Sequence, residues 1–114
     1  MSANGSSGNA VADKVKQLII DHQVIVFSKT YCPYCVKAKR VLGKYKLKDY
    51  KVIELDEIKD GNEYQKVLGR LTDAKTVPRV FIAGECIGGG DDTERLDKNG
   101  DLEKRLKKVN AIEN

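Results

Sequence analysis

Long apolar runs are missing from this chain of 114 residues. No stretch approaches the ~20 apolar residues that a helix needs to cross a bilayer, so no transmembrane helix and no membrane partner are expected. Aromatics are few, two Phe and five Tyr, and the basic residues are scattered rather than interleaved with them. That pattern is unlike a stacking platform for single strands, and a formal net charge of +4 is too mild to argue for nucleic acid. No nucleic-acid partner is expected. Cysteine is scarce as well. The chain has three, an odd number, where a secreted disulfide scaffold shows a denser and even set. The expected compartment is therefore reducing, and cytoplasmic. Beyond a Cys-x-x-C pair, only Cys86 and the single histidine, His22, remain as soft ligands, at a spacing unsuited to structural zinc. No metal is expected. The first residues lack the charged start and apolar stretch of a secretory signal and the arginines of a transit peptide. Ser2 in place of glycine excludes N-myristoylation.

What is present fits one soluble α/β domain. Apolar residues make up 40% of the chain and charged residues 33%, the balance of a globular protein with a single core. Residues 1–10, rich in Ser, Gly and Asn, read as a flexible tail, and residues 11–114 as the domain. Val11, Val15, Leu18 and Ile19 fall at helical spacing. Val24 to Phe27 form a β-branched run too short for a helix, which reads as a buried strand. Ala38, Val41, Leu42 and Tyr45 predict a second helix, and Val52, Ile53 and Leu55 a second strand. Asp60-Gly61-Asn62 opens a third helix marked by Tyr64, Val67, Leu68 and Leu71. Val80-Phe81-Ile82 and Cys86-Ile87 flank Ala83-Gly84-Glu85, a hairpin signature. Helical stretches follow from Asp91-Asp92 and through Leu102, Leu106 and Val109, and Asp97–Asp101 reads as the turn between two helices. A calcium loop there is excluded because position twelve is Lys108, not glutamate. Strand–helix–strand demands a parallel pair, while the hairpin adds antiparallel strands. The expected fold is a three-layer α/β domain with one mixed sheet flanked by helices.

Thr30-Tyr31-Cys32-Pro33-Tyr34-Cys35 lies where the first strand hands over to the second helix. Two cysteines three apart on a first helical turn approach closely enough for a disulfide. The helix N-terminus offers unpaired N–H groups and positive dipole, which favour a thiolate at Cys32. Pro33 has no N–H to leave unpaired there, and Lys29 adds positive charge nearby. A free cysteine near pKa 8.5 is only ~3% thiolate at pH 7, so full ionisation raises the thiolate about thirtyfold. The accompanying loss of nucleophilicity, about fortyfold for a drop of roughly 3.5 pKa units, nearly cancels that gain. The larger benefit is that a stabilised thiolate departs readily when a second thiol attacks. Such chemistry suits a catalyst that turns over.

Lys29-Thr30-Tyr31-Cys32-Pro33-Tyr34-Cys35, Thr76-Val77-Pro78, and Gly88-Gly89 followed by Asp91-Asp92 together resemble the dithiol glutaredoxins of the thioredoxin superfamily. The match runs from about Val11 to Val109. A thioredoxin is expected to carry Cys-Gly-Pro-Cys instead. The resemblance implies a thioredoxin-like fold with a four-stranded mixed sheet. It also implies a glutathione-dependent thiol–disulfide oxidoreductase, with Cys32 as nucleophile and Cys35 as resolving thiol. Glutathione is the implied co-substrate, and glutathionylated or disulfide-containing proteins are the implied partners. Lys29 and Gln65 look like the residues that hold its glycyl carboxylate. Val77 looks like the one whose backbone pairs with its cysteinyl part, beside a proline, Pro78, that is cis in the family. Tyr34, Thr76 and Gly89 belong to the same implied groove. Helix-start amides near Asp91 suit the γ-glutamyl carboxylate and Asp92 the ammonium. Asp91 read alone is a helix cap. Gly90 and Thr93 depart from common family residues and are expected to alter cleft shape.

An alternative from a different class is a glutathione-assisted [2Fe–2S] carrier, which some relatives are. Pro33 weighs against it, since members with that proline favour redox turnover. Cys86 reads as a buried or half-buried bystander and His22 as a surface residue at a helix end. Nothing calls for a dimer.

Overall fold

Val24–Ser28 forms a strand because β-branched and aromatic side chains buried on both faces suit the middle of a sheet better than a helix. All five of its residues are buried. The computed structural model describes residues 7–113. In chain order the elements are α1 (Ser7–Asp21), β1 (Val24–Ser28), α2 (Pro33–Leu42), β2 (Tyr50–Glu54), a 3-10 turn (Leu55–Glu57) and α3 (Gly61–Thr72). They continue with β3 (Arg79–Ile82), β4 (Glu85–Gly88), α4 (Gly90–Lys98) and α5 (Asp101–Lys108). The sheet order is β2-β1-β3-β4, with β1 and β2 parallel and the β1/β3 and β3/β4 pairs antiparallel. This is the mixed four-stranded sheet predicted above.

The period-two alternation of strands sorts the core into two layers. Ile25, Phe27 and Phe81 face α1 and α3, where Val11, Val15, Ile19, Tyr64, Val67 and Leu68 cover them. Phe27 and Phe81 meet edge to face, centroids 5.9 Å apart. Val24, Val26, Val80 and Ile82 face the other way, onto Ala38, Val41 and Leu42 of α2 and Leu102 and Leu106 of α5. The two buried faces fix the register of β1, since a one-residue slip would exchange the layers.

Several details differ from the expectation. Helix α1 begins at Ser7, ahead of Val11, while residues 1–6 of the expected tail lie outside the described residues. Leu55 leaves β2 and opens the 3-10 turn instead. Leu71 points to solvent, 44% exposed, because α3 buries only the stripe through Tyr64, Val67 and Leu68. The hairpin turn is Ala83-Gly84, both at positive φ, as a two-residue turn between twisted strands requires. Asn110, also at positive φ, ends α5 with the Ala111 amide donating back to the Leu106 carbonyl, and this returns Ala111 and Ile112 to the core.

Candidate active site

The site forms at one rim of the sheet, where β1 ends and β3 begins. Cys32 is the N-cap of α2, in extended conformation, and Pro33 is the first helical residue, as predicted from its missing N–H. Cys32 is partly exposed, whereas Cys35, one turn in, is fully buried. Both are free thiols. The Cys32 thiol approaches the Val77 carbonyl at 3.8 Å. The Val77–Pro78 peptide is cis, the isomer the resemblance implied. The Lys29 amide donates to the Cys35 sulfur at 3.4 Å. Burial pushes the Cys35 thiol above its ordinary value, against the opposing help of that amide, and the neighbouring Cys32 thiol adds to the upward shift.

The remaining predicted residues assemble around this pair by three routes. Lys29 and Thr30 continue directly from β1, and Thr30 donates both its amide (3.0 Å) and its hydroxyl to Asp56 in the 3-10 turn after β2. The Asp56 carboxyl is held below the usual carboxylate range, chiefly by the Thr30 hydroxyl, with Lys29 contributing through its charge. Gln65, on α3, donates from Nε2 to the Lys75 carbonyl at 2.8 Å and so ties α3 to the loop that carries Thr76, Val77 and Pro78. It lines an open groove with Asn62, Lys66, Arg70 and Lys75. Thr76 is exposed, Val77 half-buried and Pro78 buried.

The third route is the turn from β4 into α4. A side chain at position 89 would meet the Arg79 guanidinium at 3.0 Å and the Pro78 carbonyl at 3.5 Å, so glycine lets this turn lie against the cis-proline. Gly90 presses on the start of α2: a Cβ there would lie 2.5 Å from the Tyr34 carbonyl. Glycine at this position permits the turn to lie directly on the backbone of α2. Thr93 is buried and donates to the Gly89 carbonyl at 2.8 Å. The capping assignment needs correction. Asp92, not Asp91, serves the helix end: its Oδ2 accepts the Gly89 amide at 2.9 Å, the reciprocal half of a capping box. That amide bond, with Arg95 Nη1 3.1 Å away, holds the Asp92 carboxyl below its usual range. The Asp91 carboxylate is engaged by Lys37 at 2.9 Å.

Sequence reasoning missed Asp56, Lys37, Ser28 and Arg79. Asp56 and Lys37 act across gaps of 26 and 54 positions, which leave no local signal. Ser28, buried and close to Cys35, reads in sequence as an ordinary strand end. Cys86 is half-buried beside the Phe81 layer. His22, just past the end of α1, joins Asp49 at 2.9 Å. Among the described residues no three His, Cys, Asp or Glu side chains are grouped as a metal site.

A dithiol at a helix N-terminus, beside the Val77–Pro78 loop at the rim of a mixed βαβ–ββα sheet, places the chain in the thioredoxin-like class of folds. Comparison with known proteins narrows the class. The sequence model of the glutaredoxin family matches residues 24–87. The chain is 46% identical over 100 residues to the chloroplastic glutaredoxin-C4 of Oryza sativa subsp. japonica, covering 88% of this chain and 74% of that one. Among solved structures, oxidized glutaredoxin 2 from Chlamydomonas reinhardtii superposes with a TM-score of 0.87 at 42% identity, covering 92% of this chain and 98% of that one. A buckwheat glutaredoxin–glutathione complex gives 0.88 at 35% identity, covering 97% and 100%. This chain belongs to the glutaredoxin family, has its thioredoxin-like fold and carries the dithiol Cys-x-x-C form of its motif.

Proposed function

We propose that the protein is a glutathione-dependent disulfide oxidoreductase that reduces both glutathione mixed disulfides and protein disulfides in a reducing, cytoplasmic compartment. The observation that carries this reading is the asymmetry of the two thiols: Cys32 is accessible at the N-terminus of α2, and Cys35 is sealed behind it.

In the first mode the Cys32 thiolate attacks the glutathionyl sulfur of a modified protein. A Cys32–glutathione disulfide forms and the client leaves as its thiolate, which takes up a proton. A second glutathione, as thiolate, attacks the glutathionyl sulfur, releasing glutathione disulfide and restoring Cys32. In the second mode Cys32 joins one sulfur of a client disulfide, and Cys35 then displaces the reduced client, leaving a Cys32–Cys35 bridge. Two glutathione molecules reopen it and are oxidised to one glutathione disulfide. Lys29 and Gln65 serve the glycyl carboxylate. The Val77 backbone, with Thr76 and Pro78, receives the cysteinyl part strand-fashion. Tyr34 forms the rim. The amides that open α4 have no intrahelical acceptor and suit the γ-glutamyl carboxylate beside Gly89, Asp91 and Asp92. The solved complex of a buckwheat relative with glutathione supports glutathione as the co-substrate.

The test is turnover of a glutathione mixed disulfide coupled to glutathione reductase. Cys32→Ser is expected to abolish both modes, and Cys35→Ser to retain the first while losing protein-disulfide reduction. Persistent turnover by Cys32→Ser, or absence of glutathione uptake by calorimetry, would refute the reading.

A further inference from the structure

Helix α4 opens with two carboxylates, Asp91 and Asp92, in its first turn. Negative side chains there are favourable for the helix itself. They are unfavourable for an anionic ligand that would use the same amides, because like charges about one helical turn apart repel. Asp92 spends its carboxylate on the Gly89 amide and on Arg95. Asp91 is 70% exposed, and its ion-pair partner is Lys37 of the dithiol helix, at 2.9 Å. Lys37 itself is confined. Its side chain is 28% exposed, its ammonium lies 5.6 Å from the Tyr34 ring centroid, and Glu94 stands 3.6 Å away. Glu94 has other cations, Arg40 at 4.0 Å and Lys98 at 3.8 Å, whereas Lys37 is the sole cation paired with Asp91 among the described residues. The close seat of Gly90 on the Tyr34 backbone brings the two helix starts within reach of this pair.

We propose that Lys37 is a positioning residue for substrate recognition: by holding the Asp91 carboxylate it keeps that charge off the amides where the γ-glutamyl carboxylate of glutathione docks. The inference rests on glutathione occupying this groove, and it names what lets two acidic residues coexist with an anionic ligand. Lys37 acts through Asp91 and touches no reacting atom. The ammonium is stabilised chiefly by its hydrogen bond to Asp91, so it stays charged throughout the working pH range.

The experiment measures KM and kcat for a glutathione mixed disulfide in the wild type, Lys37→Gln, Lys37→Arg and the double variant Lys37→Gln/Asp91→Asn. Lys37→Gln is expected to raise KM roughly three- to tenfold with kcat little changed. Lys37→Arg should stay near wild type, and the double variant should recover most of the loss because the freed carboxylate is gone. A mixed disulfide of γ-aminobutyryl-cysteinylglycine, which keeps the amine and lacks the α-carboxylate, should show no Lys37→Gln penalty. An unchanged KM in Lys37→Gln, a double variant as weak as the single one, or an equal penalty on the decarboxylated substrate would each overturn the role of Lys37. A wild type that fails to turn over the glutathione substrate would instead remove the underlying reading.

Discussion

Cys32 and Cys35 sit one helical turn apart and experience opposite surroundings. The open position of Cys32 exposes it to incoming disulfides, while enclosure holds Cys35 in its neutral form beyond the ordinary cysteine range. A resolving thiol so placed is slow at neutral pH, because the attacking species is the thiolate. Under the proposed mechanism, a client mixed disulfide then has time to be released by glutathione before the internal bridge closes. The expected consequence is measurable in a single turnover. With Cys32 preloaded with glutathione and no free thiol present, first-order glutathione release by Cys35 should accelerate about tenfold per pH unit below the Cys35 pKa. A rate flat between pH 6 and pH 8 would mean that Cys35 is already ionised there, contrary to its burial.

At the scale of elements, the site is built by helix starts docking on backbone. Gly61 begins α3 directly against the 3-10 turn: a Cβ would lie 1.9 Å from the Leu55 carbonyl oxygen. Gly61→Ala must therefore displace α3 or the turn, at a cost of about 1–3 kcal/mol. The thermal midpoint should drop by roughly 4–8 °C for each kcal/mol. Because α3 carries Gln65, calorimetric glutathione affinity should weaken alongside. A variant with an unaltered midpoint would show that the contact is less tight than the geometry states. These junctions also separate what was legible in the sequence from what was not. The stripes through Val15, Ile19, Val67 and Leu68 and the run through Val26 announced their elements, since helix and strand periods are local properties. Leu71 misled because it shares the apolar character of its neighbours but falls off the covered face. Ala111 and Ile112 were missed because their burial depends on Asn110 turning the chain back, a long-range packing outcome. Cys32, Pro33 and Cys35 were readable from their spacing together with their place at a strand-to-helix junction. Lys37 and Asp56 were not, because their partners lie on other elements.

Across the whole molecule, two acidic side chains, Asp49 and Asp56, pin distant segments together, and a third, Asp92, closes the start of α4. Asp49 is held below the ordinary carboxylate range first by His22 and then by the Gln23 amide, Asp56 by Thr30, and Asp92 by the Gly89 amide and Arg95. A folded-state pKa below the unfolded one gives stability that is fully present above the unfolded value and is lost as pH falls through the folded one. Stability measured by urea unfolding should thus be insensitive to these groups above about pH 5 and decline steeply below about pH 4. Replacing all three by asparagine should flatten the acid limb, and an unchanged limb would place the acid sensitivity elsewhere.

Strands β1 and β3 run in opposite directions side by side, so the exit of one and the entrance of the other share a rim. The sulfurs arrive with the first half of the polypeptide, and the cis-proline loop and glycine turn arrive with the second. Neither half owns a working cleft. Competence is therefore a joint property that emerges only when both halves have paired along the middle of the sheet.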